Sequence, residues 1–123
     1  MNNKELVTTA LTEVFVNRNV SALDRYWSPG YTQHNPTFEN GLEPLRAAVA
    51  DPDLEFTYEI GAVIADGDLV AVHARVEGFG PQAHIVVDLF KVKDGKIVEH
   101  WDVKETEVPI EETKSGNAMW PAG

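Results

Sequence analysis

The chain has 123 residues, 43% of them hydrophobic, which suits one domain with a real core and excludes a disordered polymer by composition. It has no cysteine, so disulfides, thiolate metal sites and cysteine nucleophiles are excluded. Twenty acidic residues against ten basic give a net charge of −10 with no basic stripe, which argues against a nucleic-acid partner.

No apolar run approaches the roughly 18 residues that a membrane span needs. The start, MNNKELVTTALTEVF, lacks the basic end, apolar block and cleavage site of a signal peptide. The expectation is a single domain over 1–123, cytoplasmic, with no membrane partner.

Leu6, Val7, Ala10, Leu11, Val14 and Phe15 recur at three- and four-residue spacing and predict a helix with one buried face. Asn2 or Asn3 can cap it, and Asn17 to Asn19 end it. Ser21 reads as the cap of a short second helix through Trp27, with Asp24 at its third position, and Ser28-Pro29-Gly30 stops it. A third helix is signalled by Asn40 as cap, Glu43 and Pro44 in the first turn, and Leu42, Leu45, Ala48 and Val49 as its apolar face. Asp51-Pro52-Asp53 closes it.

From Leu54 the period changes to two: Leu54, Phe56, Tyr58 and Ile60 alternate with polar residues, as in a half-buried strand. Gly61 marks an expected bulge. Asp66-Gly67 and Asp94-Gly95 are hairpin signals separating strands over 68–78, 83–93 and 96–106. The segment 108–123 has no clear period and reads as an irregular tail. Helices followed by a strand meander is an α+β order: a curved antiparallel sheet wrapped by the N-terminal helices, with a conical pocket between the layers.

Each Asp-Gly turn can be a two- or a three-residue loop, and the choice shifts every cross-strand pair. The three-residue loop pairs Phe56 with Val76, Tyr58 with Ala74 and Ile60 with Val72, and puts Glu59 across from His73. Like then meets like. In the last hairpin the same loop pairs Phe90 with Val98 and Asp88 with His100 on the helix-covered face. Val87, Leu89, Ile97, Trp101 and Val103 gather on the other face, where a homodimer surface would cover them. The two-residue loop would put Trp101 beside Asp88 instead.

The last hairpin, Val87 to Val103, resembles that of the SnoaL-like polyketide cyclases, within the nuclear transport factor 2-like and ketosteroid isomerase-like superfamily. Tyr31-Thr32-Gln33-His34-Asn35-Pro36, Leu69 to His73 and Pro109-Ile110-Glu111-Glu112 are similar to the same group, in particular to small bacterial SnoaL-like aldol-condensation proteins. The resemblance implies a cystatin-like α+β barrel. It also implies that Asp88 matches an aspartate that donates a hydrogen bond in the isomerases and acts as general acid/base in the cyclases, where a histidine placed like His73 assists. The isomerase general base has no counterpart in Tyr31 to Pro36, which speaks against steroid isomerisation.

On the residues themselves, Asp88 interrupts an apolar strand, Ile85 to Phe90. A carboxyl there with no cation beside it would have a raised pKa suited to proton transfer; the alternative is a structural carboxylate held by His100 or His73. His73, also in an apolar strand, is a proton shuttle or a satisfied core histidine. His34 lies in a loop-like stretch, where it serves function or only the turn around Pro36. His100 faces inward only in the preferred register, and His84 reads as exposed. Tyr31 is best placed to offer a hydroxyl, with Glu59, Phe90 and Trp101 as further binding candidates. No His-x-His or His-x-x-x-His spacing supports a metal, and no phosphate loop, nucleophile elbow or dinucleotide fingerprint occurs. The expectation is a cofactor-independent, metal-free enzyme acting on a small hydrophobic carbonyl compound. An aldol-type cyclase and an isomerase both fit, and the alternatives are a ligand-binding or a dimerisation module.

Overall fold

The computed structural model describes residues 1–122. Helix α1 (Asn3–Leu11) opens on Asn2, whose side chain accepts from the Glu5 amide, and runs on as a π-helical turn over Thr12–Val16. Its buried stripe, Val7, Ala10, Leu11 and Val14, is the predicted one. Helix α2 (Ala22–Tyr26) lacks the expected Ser21 cap, because the Ser21 hydroxyl donates to Asn19 instead. Helix α3 (Glu43–Ala50) buries Leu45 and Val49 and likewise has no side-chain cap. Asn40 faces the other way and accepts from the Gln33 amide.

A lone arginine secures the far end of α3. Arg18, at a positive φ of 57°, donates to the carbonyls of Val49, Asp51 and Leu54 and lies 4.2 Å over the Phe56 ring. Donors at a helix C-terminus satisfy carbonyls that the helix leaves open.

The sheet has five strands: β1 (Trp27–Gln33), β2 (Thr57–Asp66), β3 (Leu69–Gly78), β4 (Gly80–Lys93) and β5 (Lys96–Thr106). Their order is β1-β5-β4-β3-β2, a curved and unclosed sheet with the helices on its inner face. The α+β class is as expected, with one addition. Trp27 to Gln33, read as a helix end and a loop, is an edge strand running parallel to β5. Its Pro29 and Gly30 hide the alternation, and a register shift falls between Trp27 and Thr32.

Both hairpins depart from the expected pairing, and both are corrected by a bulge. The first turn is a two-residue loop over Gly67-Asp68, with Asp66 opposite Leu69 and Gly67 at φ 60°. A bulge between Ile60 and Val63, beside the glycine that signalled it, then brings Tyr58 opposite Val76, Glu59 opposite Arg75 and Ile60 opposite Ala74. In the second, Asp94 and Gly95 both have positive φ, 52° and 73°, the mark of a two-residue turn. A bulge past Val92 and Ile97 then sets Phe90 opposite His100 and Asp88 opposite Asp102. An extra residue reverses the alternation of a strand, so each bulge undoes the face change that the shorter turn introduces. Ile97 lies before the bulge and is fully buried in the core, not on the outer face as expected.

The tail crosses the outer face with one 3₁₀ turn, Ile110–Glu112. The Trp120 indole N–H donates to the His73 carbonyl at 3.3 Å, over the bare backbone of Gly61. A Cβ on Gly61 would come within 2.7 Å of both the His73 carbonyl oxygen and Trp120 Nε1, so only glycine fits there.

Candidate functional site

Between sheet and helices lies a cavity of about 330 Å³. Its walls are mostly apolar: Leu11, Phe15, Trp27, Leu45, Phe56, Val86 and Phe90 line it, with Phe38 and Phe79 among the loop residues that border it. The polar groups on its wall include a connected set from four strands and the loop after β1. Asp88 on β4 and His100 and Asp102 on β5 share the inner face because of the bulge in their hairpin.

Asp88 and His100 are both 7% exposed, yet each is fully engaged. Asp88 Oδ1 lies 2.8 Å from His100 Nε2, and Asp88 Oδ2 accepts from the Tyr58 hydroxyl at 2.5 Å. His100 Nδ1 lies 2.6 Å from Gln33 Oε1, and the ring packs on Phe90 at 4.9 Å between centroids. Gln33 in turn donates to the Tyr31 hydroxyl oxygen at 3.0 Å. Asp102, directly across from Asp88, accepts from the Asn35 amide at 2.6 Å and stands 3.8 Å from His100 Nε2. Two carboxylates opposite each other repel, and the imidazole between them together with the Asn35 donor offsets that repulsion.

The two tyrosines are held in the protonated form. Burial, and then the neighbouring carboxylates, raise the Tyr31 hydroxyl above its ordinary value. Burial acts first on Tyr58 as well, followed by the charge of Asp88 and the hydrogen bond to it. Tyr58 is therefore a permanent donor to Asp88. Tyr31 accepts from Gln33, and among the described residues nothing accepts its own proton. Trp27 Nε1 is the one buried side-chain donor without a hydrogen-bond partner among the described residues. The Phe15 ring stands at 79° to the indole, with centroids 6.2 Å apart.

Of the residues singled out in the sequence, Asp88, His100, Tyr31 and Phe90 line this cavity. His73, His34, Glu59 and Trp101 do not. His73 is opposite Val87 on the outer face, where Nδ1 accepts from the Ala122 amide. The slipped register leaves Glu59 exposed and opposite Arg75, not His73. His34 is exposed, stacks on Trp101 at 4.7 Å with the rings 3° from parallel, and reaches Glu99 at 2.6 Å. It follows inward-facing Gln33, the last residue of β1, and its backbone N–H still donates to the His100 carbonyl, so the alternation of the strand carries its side chain outward. His84, expected to be merely exposed, is half-buried and borders the cavity with Lys104.

Gln33, Asn35 and Asp102 are the site residues that the sequence reading passed over, and Tyr58 counted there only as one of the aromatics of core or pocket wall. Tyr58 and Asp102 carry the period-two signal of inward positions, legible once the register is known. Gln33 and Asn35 give no such signal, because strand β1, which ends at Gln33 and sets the loop that carries Asn35, was not recognised. Asp88, His100 and Asp102 bring ligand-type atoms within 4.8 Å of one another, a convergence that single-strand spacing cannot reveal. Asp88 and His100 are already hydrogen-bonded to each other, and Asp102 to Asn35. No helix is long and apolar enough to cross a membrane among the described residues.

Comparison with known proteins agrees with this architecture. The family model for the SnoaL-like domain matches residues 8–100. Among solved structures, an NTF2-like protein of Cytophaga hutchinsonii superposes with a TM-score of 0.72 at 15% identity, covering 85% of this chain and 91% of that one. IdmH of Streptomyces antibioticus, named as a candidate polyketide cyclase, gives 0.63 at 20% identity over 85% and 93%. A Mycobacterium tuberculosis protein named as an LEH-like epoxide hydrolase gives 0.63 at 20% over 81% and 76%. No curated protein sequence matches the chain.

Proposed function

From a chain that belongs to the SnoaL-like domain family, we propose an acid/base enzyme, needing no cofactor, that moves a proton next to the carbonyl of a small hydrophobic compound. One observation carries the reading. Asp88 and His100 share a single 2.8 Å hydrogen-bond line on the wall of a mostly apolar cavity. A buried acid–base pair within reach of a ligand suits proton transfer.

The roles follow from the contacts. Asp88 takes the proton from the carbon beside the carbonyl, and the C–H electron pair becomes an enolate. Tyr31, whose hydroxyl proton has no acceptor among the described residues, donates to the enolate oxygen. Tyr58 and His100 steady the Asp88 charge from its two oxygens. The enolate then attacks a second carbonyl carbon, as in an aldol closure whose new alkoxide takes the proton from Asp88, or takes that proton back from Asp88 at another carbon, as in an isomerisation. The acid/base assistance expected of His73 and His34 passes to His100, since both lie on the outer face. The names of IdmH and the M. tuberculosis hydrolase, both attached to reactions on small molecules, support an enzyme over a passive module.

We also propose a homodimer through the outer sheet face. Ile64, Ala71, Leu89 and Trp101 form one cross-strand row there, and Val87 and Val103 a second. Val103 is 77% exposed and Ile64 67%, more than single scattered apolar residues account for when they align.

The catalytic reading is tested by incubating the protein in D₂O with a panel of hydrophobic ketones and following deuterium uptake beside the carbonyl by NMR. Catalysed uptake that Tyr31→Phe lowers is expected. Ketones that bind in the cavity with no catalysed uptake by the wild type would leave a ligand-binding protein instead.

A further inference from the structure

We propose that Gln33 is a positioning residue that keeps His100 protonated on Nδ1, so that the Asp88–His100 pair carries one more proton than the imidazole would hold unaided. The assignment rests on the proposed role of that pair, but its geometry stands apart from any reaction.

The orientation of the Gln33 amide is settled by a group that can only donate. The Asn35 backbone N–H lies 3.1 Å from Gln33 Oε1, so that atom is the oxygen. The other amide atom is then the NH₂, 3.0 Å from the Tyr31 hydroxyl oxygen, which accepts it. A reversed amide would set its NH₂ against the Asn35 N–H, donor against donor. The backbone around it is pinned as well. The Gln33 N–H donates to Asn40 Oδ1 at 2.8 Å, and the next amide, His34 N–H, donates to the His100 carbonyl at 3.0 Å.

His100 Nδ1 lies 2.6 Å from that same Gln33 oxygen. An amide oxygen cannot donate, so the proton of this bond belongs to Nδ1. The neutral ring then turns a lone pair, not an N–H, towards Asp88 at Nε2. An ionised Asp88 would meet that lone pair across 2.8 Å with nothing between them. The line is closed only by a second proton, carried either as Asp88–OH···Nε2 or as Asp88–O⁻···H–Nε2⁺. The two forms differ by one proton's position on the same bond, and in both the pair is neutral overall. Without Gln33, a neutral ring with its proton on Nε2 would satisfy ionised Asp88 by itself, and the pair would be an anion.

A neutral pair suits the cavity for a further reason. Asp102 stands 3.8 Å from the same nitrogen, and a second full negative charge at Asp88 would face it directly across the strands. Gln33 thus acts on the charge of the site through the His100 ring.

The experiment is long-range ¹H–¹⁵N correlation NMR of the histidine rings in the ligand-free full chain near neutral pH. Wild-type His100 is expected to show a protonated Nδ1 with its proton at low field. Gln33→Leu removes the acceptor and should move the ring to the form protonated on Nε2 only. Gln33→Glu keeps an acceptor at the same place and should retain the Nδ1 proton, which keeps the idea testable if the leucine variant fails to fold. A wild-type ring with bare Nδ1, a leucine variant that keeps its Nδ1 proton, or a glutamate variant that loses it would overturn the assignment. These spectra need no substrate, so a protein with the expected ring form that labels no ketone refutes the catalytic reading alone.

Discussion

Replacing Asp88 with asparagine separates chemistry from architecture because the structure gives the new side chain partners of the right kind. The carboxyl accepts from Tyr58 at one oxygen and meets His100 Nε2 at the other. With Nδ1 protonated, Nε2 presents a lone pair, so an asparagine NH₂ can donate to it while the amide oxygen still accepts from Tyr58. No hydrogen bond is lost. The stability change should stay within about 1 kcal/mol, the net worth of one ordinary hydrogen bond, or about 4 °C of melting temperature for a domain of this size. Asp88→Leu is the contrast, since it strands the Tyr58 hydroxyl and His100 Nε2 together. Each stranded buried group costs about 1–3 kcal/mol, so roughly 2–6 kcal/mol in all.

An amide cannot take a proton from carbon. Deuterium uptake by a responsive ketone should therefore fall by about 10²–10⁴-fold in Asp88→Asn, equivalent to about 2.7–5.4 kcal/mol of barrier. The assays are thermal melting and NMR-detected labelling on the same preparations. A stable asparagine variant that labels at the wild-type rate would remove Asp88 from the chemistry. An asparagine variant as unstable as the leucine one would show that the carboxyl serves as a buried ion-pair anchor, and the hydrogen-bond reasoning above would fail.

Other outcomes follow from other parts of the molecule. Trp101→Glu, which adds a charge to the outer apolar row, should convert a dimer to a folded monomer in light scattering; a variant that stays dimeric would place the interface elsewhere. Gly61→Ala should destabilise by about 1–3 kcal/mol, the usual cost of overpacking, and change Trp120 fluorescence as the tail lifts; unchanged emission and melting would mean the tail is not seated there. Protein purified without a histidine tag should retain no stoichiometric metal after dialysis, and elemental analysis showing bound zinc or iron would recast Asp88, His100 and Asp102 as ligands. All three tyrosines are held above their ordinary value, Tyr26 through its bond to Glu13 and Tyr31 and Tyr58 through burial. A raised folded value means the fold favours the neutral phenol, so this stability is complete below the ordinary tyrosine value of about 10 and is lost as the pH climbs past it. Tyrosinate absorbance near 295 nm should accordingly lag behind that of free tyrosine and rise with unfolding; smooth titration of a folded protein near the ordinary value would contradict it.

The sequence carried the elements well where one periodicity dominates. The buried stripe of α1 and the alternation of β3 and β4 are plain from apolar spacing alone. Signals that depend on local competition were less faithful. Ser21 and Asn40 look like caps, but each has a nearer partner, Asn19 for the hydroxyl and the Gln33 amide for the carboxamide. Strand β1 was hidden because Pro29 and Gly30 break its pattern, and its pairing with β5 comes from the far end of the chain. Losing β1 also concealed Gln33 and Asn35, which reach the site only through that pairing.

The placement of Asp88 and His100 on one face was reached from a turn that the molecule does not use. A three-residue loop and a two-residue loop followed by a bulge are equivalent in one respect: each preserves which residues share a face. They differ in which residues are opposite. Hydrophobic patterning reports the face strongly, because a whole row of side chains must be buried or exposed together. It reports the exact partner weakly, since a slip by two residues leaves every apolar side chain inward. That slip decides the chemistry here. In the expected register Asp88 meets His100 squarely, as a simple pair. In the observed one Asp88 meets Asp102, and His100 reaches diagonally between the two carboxyls from beside Phe90. A lone pair of residues would leave the proton count open; a ring flanked by two acids and a fixed amide has it set by its neighbours.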